Sequence, residues 1–392
     1  MPLQSLKVLD LSTLLPGPYA TMMLADMGAE VLRVEAPGRP ELTRTMPPLN
    51  ESGTSYNHTY LNRSKRSIGL NLKQPEAVEV LKRLIADYDI LVEQFRPGVM
   101  DRLGIGYDTL KALNPRLIYC TITGFGQSGP YANRPGHDLN YLAIAGVSSY
   151  TGRDDQRPLP LGIQVADVAG GSLHAVAGIL AAVVARQHSG KGQLVDISMT
   201  DAAFALNGMA GAGALAGKVE PQASKMLLNG GSFYDYYQTS DGRYFSVGSL
   251  EPQFMARLFE AIGQPELAKL GLSEKSGVQQ QLKDALEAAF AEHSFEHWLA
   301  VFADVEACVE PVLSVSEAAQ HPQLQARQMV AEVPTPAGTT EQQIGAPIKF
   351  SDYQPRYQHI GVDLGADTEQ VLAGYGFDDK AISELRQCGA LG

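Results

Sequence analysis

The sequence predicts an α/β protein with a doubly wound parallel sheet in a large domain and a smaller α+β domain beside it. Three observations carry this. Over the first 125 residues, short β-branched runs alternate with amphipathic helical stretches, the pattern of a parallel sheet with crossover helices. Later, Ser232–Ser249 reads as two strands joined at Ser240–Asp241–Gly242 and is followed by helices, an α+β order. Finally, 392 residues suffice for two structural domains.

In chain order, Leu6–Leu11 is predicted as the first strand and Pro18–Gly28 as a helix that Gly28 stops. Ala29–Glu35 and Ser67–Leu72 are the next strands, separated by the polar, proline-rich stretch Pro37–Ser64, which reads as a long functional loop. Pro75 opens a helix, and Asp89–Gln94 and Arg116–Phe125 are strands on either side of a Tyr107–Leu113 helix. Right-handed crossovers make this arrangement doubly wound. A long helix begins near Asp167 and stops at Gly190, after which Leu194–Met199 returns as a strand or leads into a helix. Past the glycine- and alanine-rich stretch Asn207–Gly217 come the hairpin and helices over Pro252–Ile262 and Val278–Ala291. The tail from Thr340 is largely polar and ends in a helix, Asp379–Cys388.

Composition narrows the function. Hydrophobic residues make up 44% and charged residues 19%, as in a globular enzyme. A net charge of −12 lacks the basic surface that nucleic acid requires. The widely spaced Cys120, Cys308 and Cys388 form no CxxC or metal pattern and fit a reducing, cytoplasmic setting. The opening MPLQSLKVLDLS reads as a strand rather than a signal peptide. Val168–Ala185 runs 18 residues without a charge, but its six alanines, three glycines and His174 read as a buried core helix and not a membrane span.

No GxGxxG follows the first strand, and no GxxxxGK[ST], GxSxG or HExxH occurs, so the doubly wound half is expected to hold something other than NAD. No further His or Cys lies close to His293 and His297, which read as a surface or packing pair, and no metal site is expected. Trp298 reads as packing. Met199, Met209, Met226, Leu227 and Leu228 read as core, with an apolar groove as the alternative.

Three residues stand out as acid–base candidates. His137 sits where a loop enters a helix, and capping or packing alone accounts for it on the residues. Asp167 precedes the long apolar helix, where N-capping is a sufficient explanation. Yet Gly170 and Gly171 in the first turns cost about 1 kcal/mol each relative to alanine, which implies close approach of another backbone or a ligand. The helix dipole would lower the Asp167 pKa unless burial opposes it. Glu251 precedes Pro252, is a mediocre cap, and could equally be a solvated loop glutamate.

Several segments in colinear order resemble the family III CoA-transferases (CaiB/BaiF-like). These are LLPGPYATMMLADMGAEVLRVEAPG (Leu14–Gly38), NRSKRSIGLNLK (Asn62–Lys73), FRPGVMDRLGIG (Phe95–Gly106) and NPRLIYCTITGFGQSGP (Asn114–Pro130). GHDLNYLA (Gly136–Ala143), ADVAGG (Ala166–Gly171), GGSFYDYYQTSDG (Gly230–Gly242), SLEPQF (Ser249–Phe254) and ACVEPVLSVSEAAQHPQ (Ala307–Gln323) are similar to the α-methylacyl-CoA racemase branch. The resemblance implies an interlocked homodimer whose Rossmann-like large domain takes both chain ends, here 1–205 and 335–392. The small domain would be 225–325, with linkers over 206–224 and 326–334.

It also implies an acyl-CoA substrate, with CoA entering as part of the substrate and no permanently bound cofactor. His137 and Asp167 would exchange the α-proton of a 2-methylacyl-CoA, and Glu251 would partner His137 across the dimer. Two bases on opposite faces of the α-carbon suit that reaction, with donors such as backbone N–H groups at a helix start facing the thioester oxygen. In the transferases the matching Asp is instead a nucleophile. Their glycine-rich loop is reduced here to Gly230–Gly231. The matching segments assign CoA or substrate contacts to Arg33, Lys65, Arg66, Leu70, Asn71, Leu72, Lys73, Arg96, Arg102, Gly136, Asp138, Leu139, Asn140 and Tyr141. Many racemases carry Arg where this chain has Ala36, and Arg39 could substitute.

Overall fold

The computed structural model describes residues 1–392, which divide into two compact units. The first comprises Met1–Ala145, Leu161–Leu206 and Gln323–Gly392. Its sheet contains β1 (Lys7–Asp10), β2 (Glu30–Glu35), β3 (Arg66–Gly69), β4 (Ile90–Glu93), β5 (Ile118–Thr123) and β6 (Leu194–Ser198). All neighbours are parallel, in the order β3-β2-β1-β4-β5-β6. The order reverses between β1 and β4, and in open α/β sheets the crevice beyond such a switch point is where ligands bind. The inner strands are buried almost throughout, as a sheet covered on both faces requires.

Helix α1 (Pro16–Asp26) starts on prolines, whose missing N–H groups cost nothing in a first turn. It gives way at Gly28, whose φ of +103° favours glycine. The stretch Pro37–Ser64 is more ordered than a loop: Leu42–Arg44 makes a 3₁₀ turn, and α2 (Tyr56–Leu61) starts at Ser55, whose side chain accepts from Asn57 N at 3.2 Å. Next come α3 (Pro75–Ile85), α4 (Val99–Arg102), α5 (Tyr107–Leu113) and α6 (Asp138–Ile144). Leu81, Leu84 and Leu110 pack with Leu9, Leu32, Leu91 and Tyr119 of the sheet and with Leu372 and Leu385 from the C-terminal helices.

Ala166–Leu173 is a π-helical segment that runs directly into α7 (His174–Ser189). Together they are long and apolar enough to cross a membrane by length and composition. One face is core, with Ala175, Val176, Ile179 and Ala182 buried, and Arg186 anchors the far end to Asp89 at 2.9 Å. The other face is open, with Leu173 and Val184 exposed, so the expected fully buried helix is buried on one side only. Gly190 ends it at φ +70°. β6 then leads directly into α8 (Met199–Ala205), satisfying both sequence expectations.

The C-terminal residues complete this unit. Val330–Pro334 and Thr340–Ile344 pair as an antiparallel hairpin, and Thr368–Gly374 and Asp379–Gln387 are helical. Leu391 bridges to Leu70, and Asn71 N–H donates to the Ala390 carbonyl at 2.9 Å.

The second unit comprises Gly146–Pro160 and Asn207–Pro322. The glycine-rich stretch forms α9 (Gly208–Gly217), with no residue buried. β7 (Asp235–Gln238), β8 (Tyr244–Val247) and β9 (Val309–Pro311) form an antiparallel sheet, its hairpin turning at Gly242 with φ +82°. α10 (Pro252–Ala261), α11 (Ser276–Glu292) and α12 (Phe295–Phe302) cover it. Phe245, Phe290, Trp298 and Phe302 form the centre of its core, and Trp298 Nε1 donates to the Phe290 carbonyl at 3.0 Å. The segment Gly146–Pro160, which the expected boundaries give to the large domain, is held in this unit by an Arg153–Asp235 ion pair of 2.6 Å.

Candidate active site

The switch point is braced by short-range contacts. Gln94, just past β4, accepts from Gly17 N at the start of α1 at 2.9 Å. A Cβ on Gly17 would overlap Ser12 and Gln94, so glycine is what lets the two strand ends and α1 meet. Beyond β5, the Tyr141 ring packs edge-on against Phe125 with centroids 5.3 Å apart, and its hydroxyl donates to the Gly136 carbonyl. A Cβ on Gly136 would come within 2.6 Å of that ring, so the glycine of the GHD segment makes room for Tyr141.

His137 forms the N-cap of α6, its N–H donating to Asn140 Oδ1 at 3.0 Å. Its imidazole is exposed. Asp138 turns the other way: its Oδ1 accepts from Ala166 N at 2.6 Å and from Asp167 N at 3.1 Å. One carboxylate therefore caps the helix that carries Asp167 and fixes that helix against α6. Val168 N donates to the Gln164 carbonyl at 2.9 Å. The first N–H groups of the helix are thus committed, so the expected helix-start donors for a thioester oxygen are not free at these three positions.

Asp167 is half-buried, and its pKa is raised to about 6, first by burial and then by the neighbouring Asp138 carboxylate, with His137 partly opposing both. The dipole expectation is thereby corrected: loss of hydration outweighs it. The structure thus brings His137, Asp138 and Asp167 together. Tyr141 belongs to the same cluster: burial and then the Asp167 charge push its phenol up to about 12, and Arg96 pulls the other way.

The two glycines after Asp167 are explained by protein packing. A Cβ on Gly170 would meet the Met199 carbonyl at 3.1 Å, and one on Gly171 would meet Pro16 Cβ at 2.9 Å. The close neighbours are α8 and the start of α1. His174 Nδ1 lies 2.7 Å from the Ala169 carbonyl, bonded within its own helix.

The expected CoA cations fall into two groups. Arg33 and Lys65 are almost fully buried, at 2% and 1% exposure. Lys65 Nζ shares its three N–H groups among four acceptors: Asp10 Oδ2 at 3.1 Å, the Pro18 carbonyl at 2.9 Å, Thr21 Oγ1 at 2.8 Å and Asn62 Oδ1 at 3.1 Å. Arg33 bonds Asn62 and Glu41 and lies 3.4 Å from Glu35. Both are corrected to internal counter-charges, with no charge presented to a phosphate. Burial pushes the Asp10 carboxyl up, but Lys65 and Arg33 outweigh it and the net shift is downward. Burial likewise lowers Lys65, to about 8.

Arg96, Arg102 and Lys73 are exposed, as is Arg39. Arg66 is half-exposed and reaches Asp367 at 3.4 Å. Leu70 is buried, Leu72 packs on the core and the Asn71 amide donates to the Gly389 carbonyl at 3.1 Å, so this segment is clasped to the C-terminus. Leu139 and Asn140 are exposed on α6.

Glu251 belongs to the second unit, at the N-cap of α10, exposed and with no side-chain capping bond. Gly230 and Gly231 lie in that unit too. A Cβ on Gly231 would meet the backbone of Lys225 and Met226 within 2.6 Å, so local packing alone requires it. Of the apolar candidates, Met199 is buried beside Gly171, whereas Met209, Leu227 and Leu228 are exposed. His293 and His297 stack at 3.9 Å on the surface of the second unit.

A doubly wound sheet that gathers a histidine and a half-buried aspartate on neighbouring helices is the architecture of an α/β enzyme. Comparison with known proteins specifies the family. Residues 3–368 match the model of CoA-transferase family III, and the chain belongs to that family. It is 36% identical to human alpha-methylacyl-CoA racemase, with 98% of this chain and 96% of that protein covered. It is also 31% identical to human succinyl-CoA:glutarate CoA-transferase, over 100% of this chain and 90% of that one. Among solved structures, a CAIB/BAIF family protein from Brucella suis is similar with a TM-score of 0.84 and 30% identity, over 96% of this chain and 99% of that chain.

Proposed function

We propose that the protein is a racemase or epimerase of 2-methylacyl-CoA thioesters. In this reading His137 and Asp167 stand on opposite faces of the α-carbon. One removes the α-hydrogen, the thioester oxygen carries the charge of the resulting enolate, and the other returns a proton to the opposite face. The observation that carries the reading is the Asp167 carboxyl, held at about 6 by burial and Asp138, with His137 beside it. A group that titrates near neutrality is suited to give and take a proton at physiological pH. Arg96, Arg102 and Lys73 are the exposed cations proposed for the CoA phosphates, and CoA enters only as part of the substrate. We further propose a cytoplasmic homodimer in which Glu251 of one subunit orients His137 of the other.

The same carboxylate could instead attack the thioester and carry the acyl group as an anhydride, moving CoA between acids. The transferases among the relatives keep that alternative in view. Incubation with a 2-methylacyl-CoA in D₂O separates the two. Deuterium should enter the α-carbon, and His137→Ala and Asp167→Ala should each abolish that exchange. Labelled acyl-CoA formed from a labelled free acid, without α-exchange, would establish transfer instead.

A further inference from the structure

The last residue of β4 has no place in the chemistry above, yet its setting is unusual. Glu93 is 4% exposed. It has no cationic partner; the charges it feels are the carboxylates of Asp101 and Asp196, and the uncharged Tyr119 and Cys120 lie within its influence. Burying a carboxyl among acids is costly, and a fold keeps such a group where its hydrogen bonds hold something in place. Here the bond is local and short: Glu93 Oε2 accepts from Phe95 N–H at 2.7 Å.

That bond closes the first step of the turn that follows. Val99 N donates to the Arg96 carbonyl at 3.1 Å, and Gly98 takes a left-handed φ of +77°, so the chain turns over Arg96–Val99, soon after the strand end at Glu93. Gln94 ties the same strand end to α1 through Gly17. The turn presents Arg96 to solvent on the side where its charge reaches Tyr141. Arg102 lies back across the turn, 3.4 Å from where a Gly98 Cβ would stand. Fixing Phe95 N–H therefore fixes where Arg96, the next residue, stands.

We infer that Glu93 is a positioning residue for acyl-CoA binding: by accepting the Phe95 N–H it sets the Phe95–Gly98 turn and thereby aims Arg96 at the substrate. The inference rests on the reading of Arg96 as a CoA contact. Glu93→Gln retains an acceptor oxygen and rescues the function, whereas Glu93→Leu, of similar size, does not.

The test is a double-mutant cycle on CoA affinity, read by calorimetry on the full chain, with thermal unfolding recorded in parallel. Glu93→Leu should weaken CoA binding by roughly fivefold to tenfold, while Glu93→Gln stays within about twofold of the parent. In the Arg96→Ala background, Glu93→Leu should weaken binding no further, because its effect passes through Arg96. Additive losses, or a Glu93→Leu affinity equal to the parent's, overturn the inference. If Glu93→Leu fails to fold, Glu93→Gln against Glu93→Met decides: equal affinities overturn it. A parent protein that does not bind CoA, or an Arg96→Ala variant that binds as the parent does, sinks the underlying assignment instead, so the two failures are distinguishable.

Discussion

Asp138 Oδ1 accepts the backbone N–H of Asp167 at 3.1 Å while the Asp138 charge raises the Asp167 pKa. The same carboxylate thus holds the helix start in place and biases the side chain it carries toward the protonated form. Few contacts in the first unit tie structure and chemistry so directly.

Substituting Asp138 separates these effects. Asp138→Asn keeps an acceptor oxygen and removes the charge, so the Asp167 pKa should fall and the low-pH limb of α-exchange should move to lower pH. Asp138→Ala loses the cap as well and should cost about 1 kcal/mol of stability, read from urea unfolding.

A carboxyl held at about 6 makes a pH prediction of definite sign. In the direction where Asp167 takes the proton, exchange should rise with pH through about 6 and level off above 7. Stability should run the other way. The folded-state pKa lies above the unfolded one, so folding binds a proton between about pH 4 and 6, and stability is lost as pH rises through that window. Asp167→Asn should therefore be the more stable protein at pH 8, by about 1 kcal/mol once solvent screening is discounted, with the difference gone at pH 3.

Lys65 and Arg96 should respond in opposite ways. Lys65→Met strands Asp10 in the interior and should cost about 3–5 kcal/mol, seen as a large drop in Tm. Arg96→Ala should leave Tm nearly unchanged and weaken CoA binding about tenfold. Equal Tm values for the parent and Lys65→Met would contradict the buried role.

Gly171→Ala should destabilise by about 1–3 kcal/mol. The added methyl would stand 2.9 Å from Pro16 and 3.2 Å from Met199. Because Gly171 lies one turn past Asp167, α-exchange should fall by more than the folded fraction does.

Much of the first unit was legible because its signals are local. Strand runs rich in Val, Ile and Leu, Pro75 at a helix start and Gly190 at a helix end each declare themselves within a few residues. Arg33 and Lys65 were not legible as internal charges, since their partners Asp10, Glu35, Glu41 and Asn62 are scattered along the chain and meet only in the fold. The Val330–Ile344 hairpin escaped because strands such as TEQQI are polar, although Gly338 at φ +79° marked the turn. The π-helical start at Ala166–Leu173 has no periodicity of its own to read. The conflict between dipole and burial at Asp167 required knowing how deeply the side chain sits.

The C-terminus clasps the first unit through Leu391 on Leu70 and Ala390 on Asn71. During synthesis, then, residues 1–145 leave the ribosome without the chain that completes their core, and the missing part arrives only when residues 323–392 have been made. The second unit, 146–160 and 207–322, emerges whole in the meantime. At about 5–20 residues per second the nascent large unit waits roughly ten seconds or more with the β3 side of its sheet uncovered. A stop codon that removes Ala390 and Leu391 therefore acts on a part of the chain made more than 300 residues earlier, and termination before them should yield aggregation rather than a trimmed enzyme.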